Sequence, residues 1–121
     1  MRTITDHKVG GLNEGLEIVV VDEPGQGNAC HEYRIHDNDG LNTPLGKVSF
    51  QNGPIKENGV NGITQEVLLA IVIDRLRGFQ SGDFACRDNA IALTHCEDAL
   101  MRLQKRTYDR LSRGVEGTNT V

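Results

Sequence analysis

The rhythm of apolar and polar residues changes near residue 62, and two kinds of structure follow from that change. Before it, short apolar segments are punctuated by Gly, Asn and Asp. Leu16 to Val21 (Leu-Glu-Ile-Val-Val-Val) is β-branched and reads as a strand. From His31 to His36, Tyr33 and Ile35 alternate with Glu32, Arg34 and His36, the pattern of a half-buried strand. Asp37-Asn38-Asp39-Gly40 has turn composition, and Asp39-Gly40 suits positive φ. Lys47 to Gln51 makes a third strand, stopped by Asn52-Gly53-Pro54. These segments predict a small, mostly antiparallel sheet.

After Gly62 the period becomes helical. Thr64 is predicted to cap a helix running to about Arg77, with Gly78 as its stop. A second helix is predicted after Ser81-Gly82-Asp83, capped by Ser81 or Asp83, and reaching about Ser112 before Gly114. At 1.5 Å per residue it is roughly 43 Å long. The stretch Gln80 to Asp83 leaves room only for a sharp reversal, so the helices form an antiparallel hairpin. The predicted class is α+β. A sheet region covers residues 1–62, and the hairpin with a C-terminal tail covers 63–121.

Val67 to Ile73 is apolar at every position, and seven residues go round a whole helix. A three-stranded sheet and one partner helix cover about half of that circumference, so the remainder calls for a second chain. Leu93, Cys96, Leu100 and Leu103 form one seam of the second helix, and Ala85, Ala92 and Ala99 a small-residue face. A homo-oligomer closed by symmetry is the expectation. The alternative is that the β half wraps the belt entirely. Composition agrees with assembly, since apolar residues make up 37% of the 121, aromatics 4%, and Trp is missing.

A net charge of -4 argues against general affinity for nucleic-acid polymers or anionic membranes. The longest apolar run falls well short of the ~20 residues a membrane span needs. Met1 to Asp6 lacks the apolar core of a secretory signal. Cys30, Cys86 and Cys96 form neither an even set nor a C-x-x-C pair, which fits reduced thiols in a cytosol.

Against that charge stands a basic cluster: Arg102, Lys105, Arg106, Arg110 and Arg113, with Asp109 as the one intervening acid. Arg102, Arg106 and Arg110 share a helical face and could grip phosphate, or could simply complement the helix dipole. The elbow from Gly78 to Asn89 places Phe79 and Phe84 between glycines, with Arg87 and Asn89 in the next helix's first turns. Phe can stack on a base, Asn can read an adenine edge, and a helix N-terminus suits an anion. Phe84 is expected instead to close the hairpin core, and Phe79 is open to either role. The loop from Phe50 to Gly62 is the densest polar–Gly stretch, a usual composition for a binding loop. The tail Arg113 to Thr120 could order over a ligand, though disorder is the commoner fate of such an end. His31 beside Cys30 and His95 beside Cys96 lack zinc-ligand spacing. Asp37, Asp39 and Glu57 read as solvated turn residues, and no nucleophile or phosphate-loop motif occurs, so neither metal, cofactor nor catalytic residue is expected.

Three strings resemble a known module: Phe79-Gln80-Ser81-Gly82-Asp83-Phe84-Ala85-Cys86-Arg87-Asp88-Asn89-Ala90, Leu103-Gln104-Lys105-Arg106-Thr107, and Arg113-Gly114-Val115-Glu116-Gly117-Thr118. They are similar to the helical hairpin of phage counter-defence proteins. That hairpin is shared by an all-helical anti-CBASS group, which sequesters cyclic oligonucleotides, and the first-described Thoeris anti-defence group, which adds a sheet. The β half and the Phe50 to Gly62 loop look like the latter. The resemblance implies a sponge, not an enzyme, that holds cyclic ADP-ribose isomers made by TIR-domain enzymes in the host cytoplasm during infection. It implies that Phe79 stacks on adenine, Asn89 hydrogen-bonds the nucleotide, and Arg106 holds the pyrophosphate. Gln51 and Lys56 of the loop would close the pocket. It further implies hexamers with separate pockets for cyclic di- or trinucleotides, assigned to Arg87, Arg110, Arg113, Val115, Glu116 and Thr118. A sponge for cyclic oligonucleotides alone, and a phage DNA-associated structural protein, are the alternatives.

Overall fold

The computed structural model describes residues 1–37 and 44–121, so the predicted Asp39-Gly40 turn lies outside the described residues. The chain divides into two compact units, Met1–Ile63 and Thr64–Val121.

The first unit is a four-stranded antiparallel sheet in sequence order, β1 (Arg2–Ile4), β2 (Leu16–Val20), β3 (Glu32–Asp37) and β4 (Gly46–Ser49). β1 is the unforeseen strand; three residues are too few to show a period of two. Its register sets Arg2 against Val20 and Ile4 against Ile18. Ile18 then faces Ile35, and Val20 faces Tyr33, which in turn faces Val48. Partners across a ladder share a face, so two apolar rows cross the sheet side by side. Val20, at the centre, is fully buried. The opposite face carries Val19, Arg34 and Lys47 in one row. A one-turn helix, α1 (Gly11–Glu14), precedes β2, and another, α2 (Ile55–Asn58), follows β4.

The second unit is the hairpin of α3 (Gln65–Gln80) and α4 (Arg87–Ser112). The Thr64 hydroxyl accepts from the Val67 N–H at 3.2 Å and caps α3. Gly78 does not stop this helix, which continues to Gln80; an interior glycine costs only about 1 kcal/mol. Termination comes instead at Ser81, whose N–H reaches the carbonyls of Arg77 and Gly78. Leu93, Cys96, Leu100 and Leu103 are half-buried along one face of α4, and Arg77 bridges to Glu97 across the hairpin at 2.7 Å. Ala85, Ala92 and Ala99 are exposed. Of the apolar belt, Ile73 is buried, whereas Val67, Ile71 and Val72 are 45, 58 and 43% exposed. Among the described residues no helix is long and apolar enough to cross a membrane, and no cluster of His, Cys, Asp or Glu could hold a metal.

One ionisable group braces the sheet. The Asp22 carboxylate accepts the backbone N–H of His31 at 2.9 Å and of Glu32 at 3.1 Å. The His31 N–H bond is the main reason its pKa lies below the ordinary 3.8. A depressed folded-state pKa means the bond's full contribution is present above pH 3.8 and is lost as acid protonates the folded carboxylate. We therefore expect the thermal midpoint of the wild-type protein to exceed that of Asp22→Asn at pH 6. The gap should shrink below pH 3.8; a gap independent of pH would contradict the assignment.

Candidate functional site

The elbow between the helices is closed by its own polar side chains. The Gln80 amide oxygen accepts the Cys86 N–H at 3.0 Å, and the Ser81 hydroxyl donates to the Gly78 carbonyl at 2.8 Å. α4 begins at Arg87, and its cap is neither Ser81 nor Asp83 but Cys86, whose sulfur accepts the Asn89 N–H at 3.4 Å. A thiol is not among the usual caps, which is why the sequence pointed to the earlier oxygens. The Asn89 side-chain amide donates to the Phe84 carbonyl at 3.4 Å, which ties the helix back to the elbow.

Phe79 and Phe84 stand edge to face, with centroids 6.1 Å apart and planes at 87°. Together with Asn89 they line an open slot of about 340 Å³, within the range of small-ligand sites. Phe84 is 74% exposed, so it does not close the hairpin core. Phe79 is half-buried, and the guanidinium of Arg75, one turn earlier, lies 5.0 Å from its centroid. Arg87 is exposed in the first turn of α4.

At the far end of α4 the basic cluster is not uniform. Arg110 is buried, and its guanidinium donates to the carbonyls of Thr120 (2.6 Å), Val115 (2.9 Å) and Thr118 (3.1 Å). Its Nε lies 3.3 Å from a Glu116 carboxylate oxygen. The tail is therefore ordered around Arg110, contrary to the expected disorder. Arg110, expected to grip a ligand, is committed to carbonyls of its own chain. The Val115 and Thr118 carbonyls and the Glu116 carboxylate are in turn engaged by Arg110. Lys105 pairs with Asp109 at 2.9 Å, Arg113 ends α4, and Arg102 and Arg106 are exposed.

In the first unit, the segment after β4 is tied at both ends. Gln51 N–H donates to Ile63 O at 2.8 Å, and Ile63 N–H to Ser49 O at 2.9 Å. Inside it, the Gln51 amide donates to the carbonyls of Gly53 (3.1 Å) and Gly59 (2.7 Å) and accepts from Asn61 N–H (2.9 Å). Asn61 in turn pairs with both backbone groups of Asn52 at 2.7 Å. Gln51 is thus a brace, not a free ligand contact; a carboxamide making three bonds has little left for a guest. A Cβ on Gly62 would come within 2.4 Å of the Phe50 carbonyl carbon, so the closure itself requires glycine. Lys56 is exposed on α2.

Phe79 and Asn89 are accordingly brought together, joined by Phe84 and Arg75. Arg106 is not with them: on one continuous helix it lies about 25 Å beyond Asn89. Gln51 and Lys56 belong to the other unit. The model of one family, described as the Acb2/Tad1 hairpin domain, matches residues 45–108, just over half of the chain. The chain belongs to the Acb2/Tad1 hairpin family. It is also similar to a Bacillus phage SBSphiJ7 protein named Thoeris anti-defense 1, with 55% identity over 75 residues. That match covers 62% of this chain and 53% of the relative, so the chain spans about half the length of the curated relative it matches.

The Acb2/Tad1 match takes in the loop from Phe50 to Gly62, the whole elbow and Arg106, and stops before the tail. Three participants of this Acb2/Tad1 hairpin escaped the sequence reading. Arg75 was detectable from its spacing of four before Phe79 on a helix. Gln80 and Cys86 carried no such sign, because their contacts cross a turn whose geometry composition does not specify.

Proposed function

We propose that the chain is a phage anti-defence sponge. It captures cyclic ADP-ribose isomers made by TIR-domain enzymes in the infected host's cytoplasm and so blocks Thoeris immunity. The observation that carries this reading is the aromatic slot with an amide at its rim, formed in a hairpin of the Acb2/Tad1 family. Phe79 supplies a stacking face for adenine and Asn89 a donor–acceptor pair for its edge. The relative's name, Thoeris anti-defense 1, agrees with that role.

A pyrophosphate a few ångströms from the adenine lies far out of reach of the same chain's Arg106. In our reading Arg106 comes from a neighbouring copy, and the exposed Val67, Ile71 and Val72 are the surface along which copies meet, as hexamers. In the same reading Lys56, in the loop braced by Gln51, is a further contact for the ligand's phosphates. Arg87, Arg113 and the tail residues Val115, Glu116 and Thr118 form a second pocket type, for cyclic di- or trinucleotides, with Arg110 shaping that tail from within. The ordering of the tail around a buried guanidinium favours a built surface there.

Capture without chemistry is the distinguishing property. After incubation with a cyclic ADP-ribose isomer, gel filtration should show the ligand travelling with protein, and heating should return it intact. Recovery of a ring-opened product would mean an enzyme instead.

A further inference from the structure

Cations near the slot differ in what already occupies them. Arg77 is held by Glu97 at 2.7 Å, whereas Arg87 is exposed with no carboxylate partner among the described residues. Arg75 pairs with no carboxylate among the described residues; its guanidinium rests on the Phe79 ring instead, 5.0 Å from the centroid. Its neighbour Asp74 points elsewhere, since adjacent residues on a helix do not face each other. A cation on an aromatic face keeps its charge unneutralised and its N–H donors open to another acceptor. Of these cations Arg75 is the one whose charge, unpaired among the described residues, lies against the ring on which a planar base would stack.

We propose that Arg75 is a further ligand-binding residue of this site, reading the anionic group joined to the stacked base. The inference rests on the sponge reading, and it assigns the slot's preference for phosphorylated over neutral nucleosides to this side chain. A base on the open face of Phe79 leaves the ring sandwiched between base and guanidinium; a base on the covered face lies beneath the guanidinium. Both arrangements keep the charge within about 10 Å of the base, a distance at which a shielded charge is still felt. The Phe79 contact also holds the long side chain near the slot before a ligand arrives, so less rotamer freedom is lost on binding.

Calorimetric titration of a cyclic ADP-ribose isomer into wild type, Arg75→Gln and Arg75→Lys, at low and high salt, tests this. Arg75 is exposed on its helix, so each variant should fold, which circular dichroism checks. Arg75→Gln should bind about tenfold more weakly, or about 1.4 kcal/mol, with a flatter salt dependence. Arg75→Lys should retain most of both. Equal losses in Gln and Lys variants, or an unchanged salt slope, would overturn the charge-reading role. Undiminished uptake by Arg75→Gln would do so as well and leave the sponge reading standing. No uptake by wild type would remove both.

Discussion

Phe79→Ala and Arg106→Ala proteins, each deficient in holding a cyclic ADP-ribose isomer, are expected to regain uptake when mixed. Losing a base-stacking ring costs about 1–3 kcal/mol, and losing a charge-assisted bond to pyrophosphate about 1.5–3 kcal/mol. Either variant alone should therefore bind some ten- to a hundredfold more weakly. The two side chains cannot meet one compact ligand within a protomer, because α4 is continuous and carries Arg106 about 25 Å past Asn89. If copies complete each other's sites, unfolding and refolding an equal mixture gives a site with Phe79 from one variant and Arg106 from the other. Random assembly restores about a quarter of the sites to wild-type composition. Titration should show that fraction at wild-type affinity. A mixture that binds no better than its components would place the whole pocket in one chain and end the shared-site account.

The parts of this architecture that were legible in the sequence are those in which one residue's environment repeats along the chain. The alternation around Tyr33 and Ile35, and the three- and four-residue steps from Leu93 to Leu103, report a face and therefore an element. Thr64 was readable as a cap because its contact spans three residues. What was not legible depends on closure. β1 exists because it adds to β2, and its three residues say nothing alone. The internal bonds of Gln51 and Arg110 were not legible for a related reason. Both residue types are good ligand contacts, and only the folded chain shows that their donors already meet carbonyls close by in sequence. Phe84 went the other way: an apolar ring was expected in the core, and the elbow sets it at the rim of the slot.

The largest effect on stability should come from Gly62→Ala. A methyl group there would sit 2.4 Å from the Phe50 carbonyl carbon, 2.5 Å from its oxygen and 2.6 Å from the Gln51 nitrogen. All three are backbone atoms, so no side chain can swing aside. The strain must be relieved by parting Phe50 from Ile63, which breaks the pair of hydrogen bonds that ties the loop shut. Overpacking of this kind typically costs about 1–3 kcal/mol, and a lost backbone closure adds to it. Amide exchange can locate the damage: the Gln51 and Ile63 N–H groups should lose protection while those of α4 keep theirs, since Thr64–Val121 is a separate unit. Tyr33, which packs edge-on against Phe50 at 5.7 Å, offers a fluorescence reporter of the same opening. Full protection of Gln51 and Ile63 in the variant would show that the closure yields more cheaply than backbone contact at these distances allows.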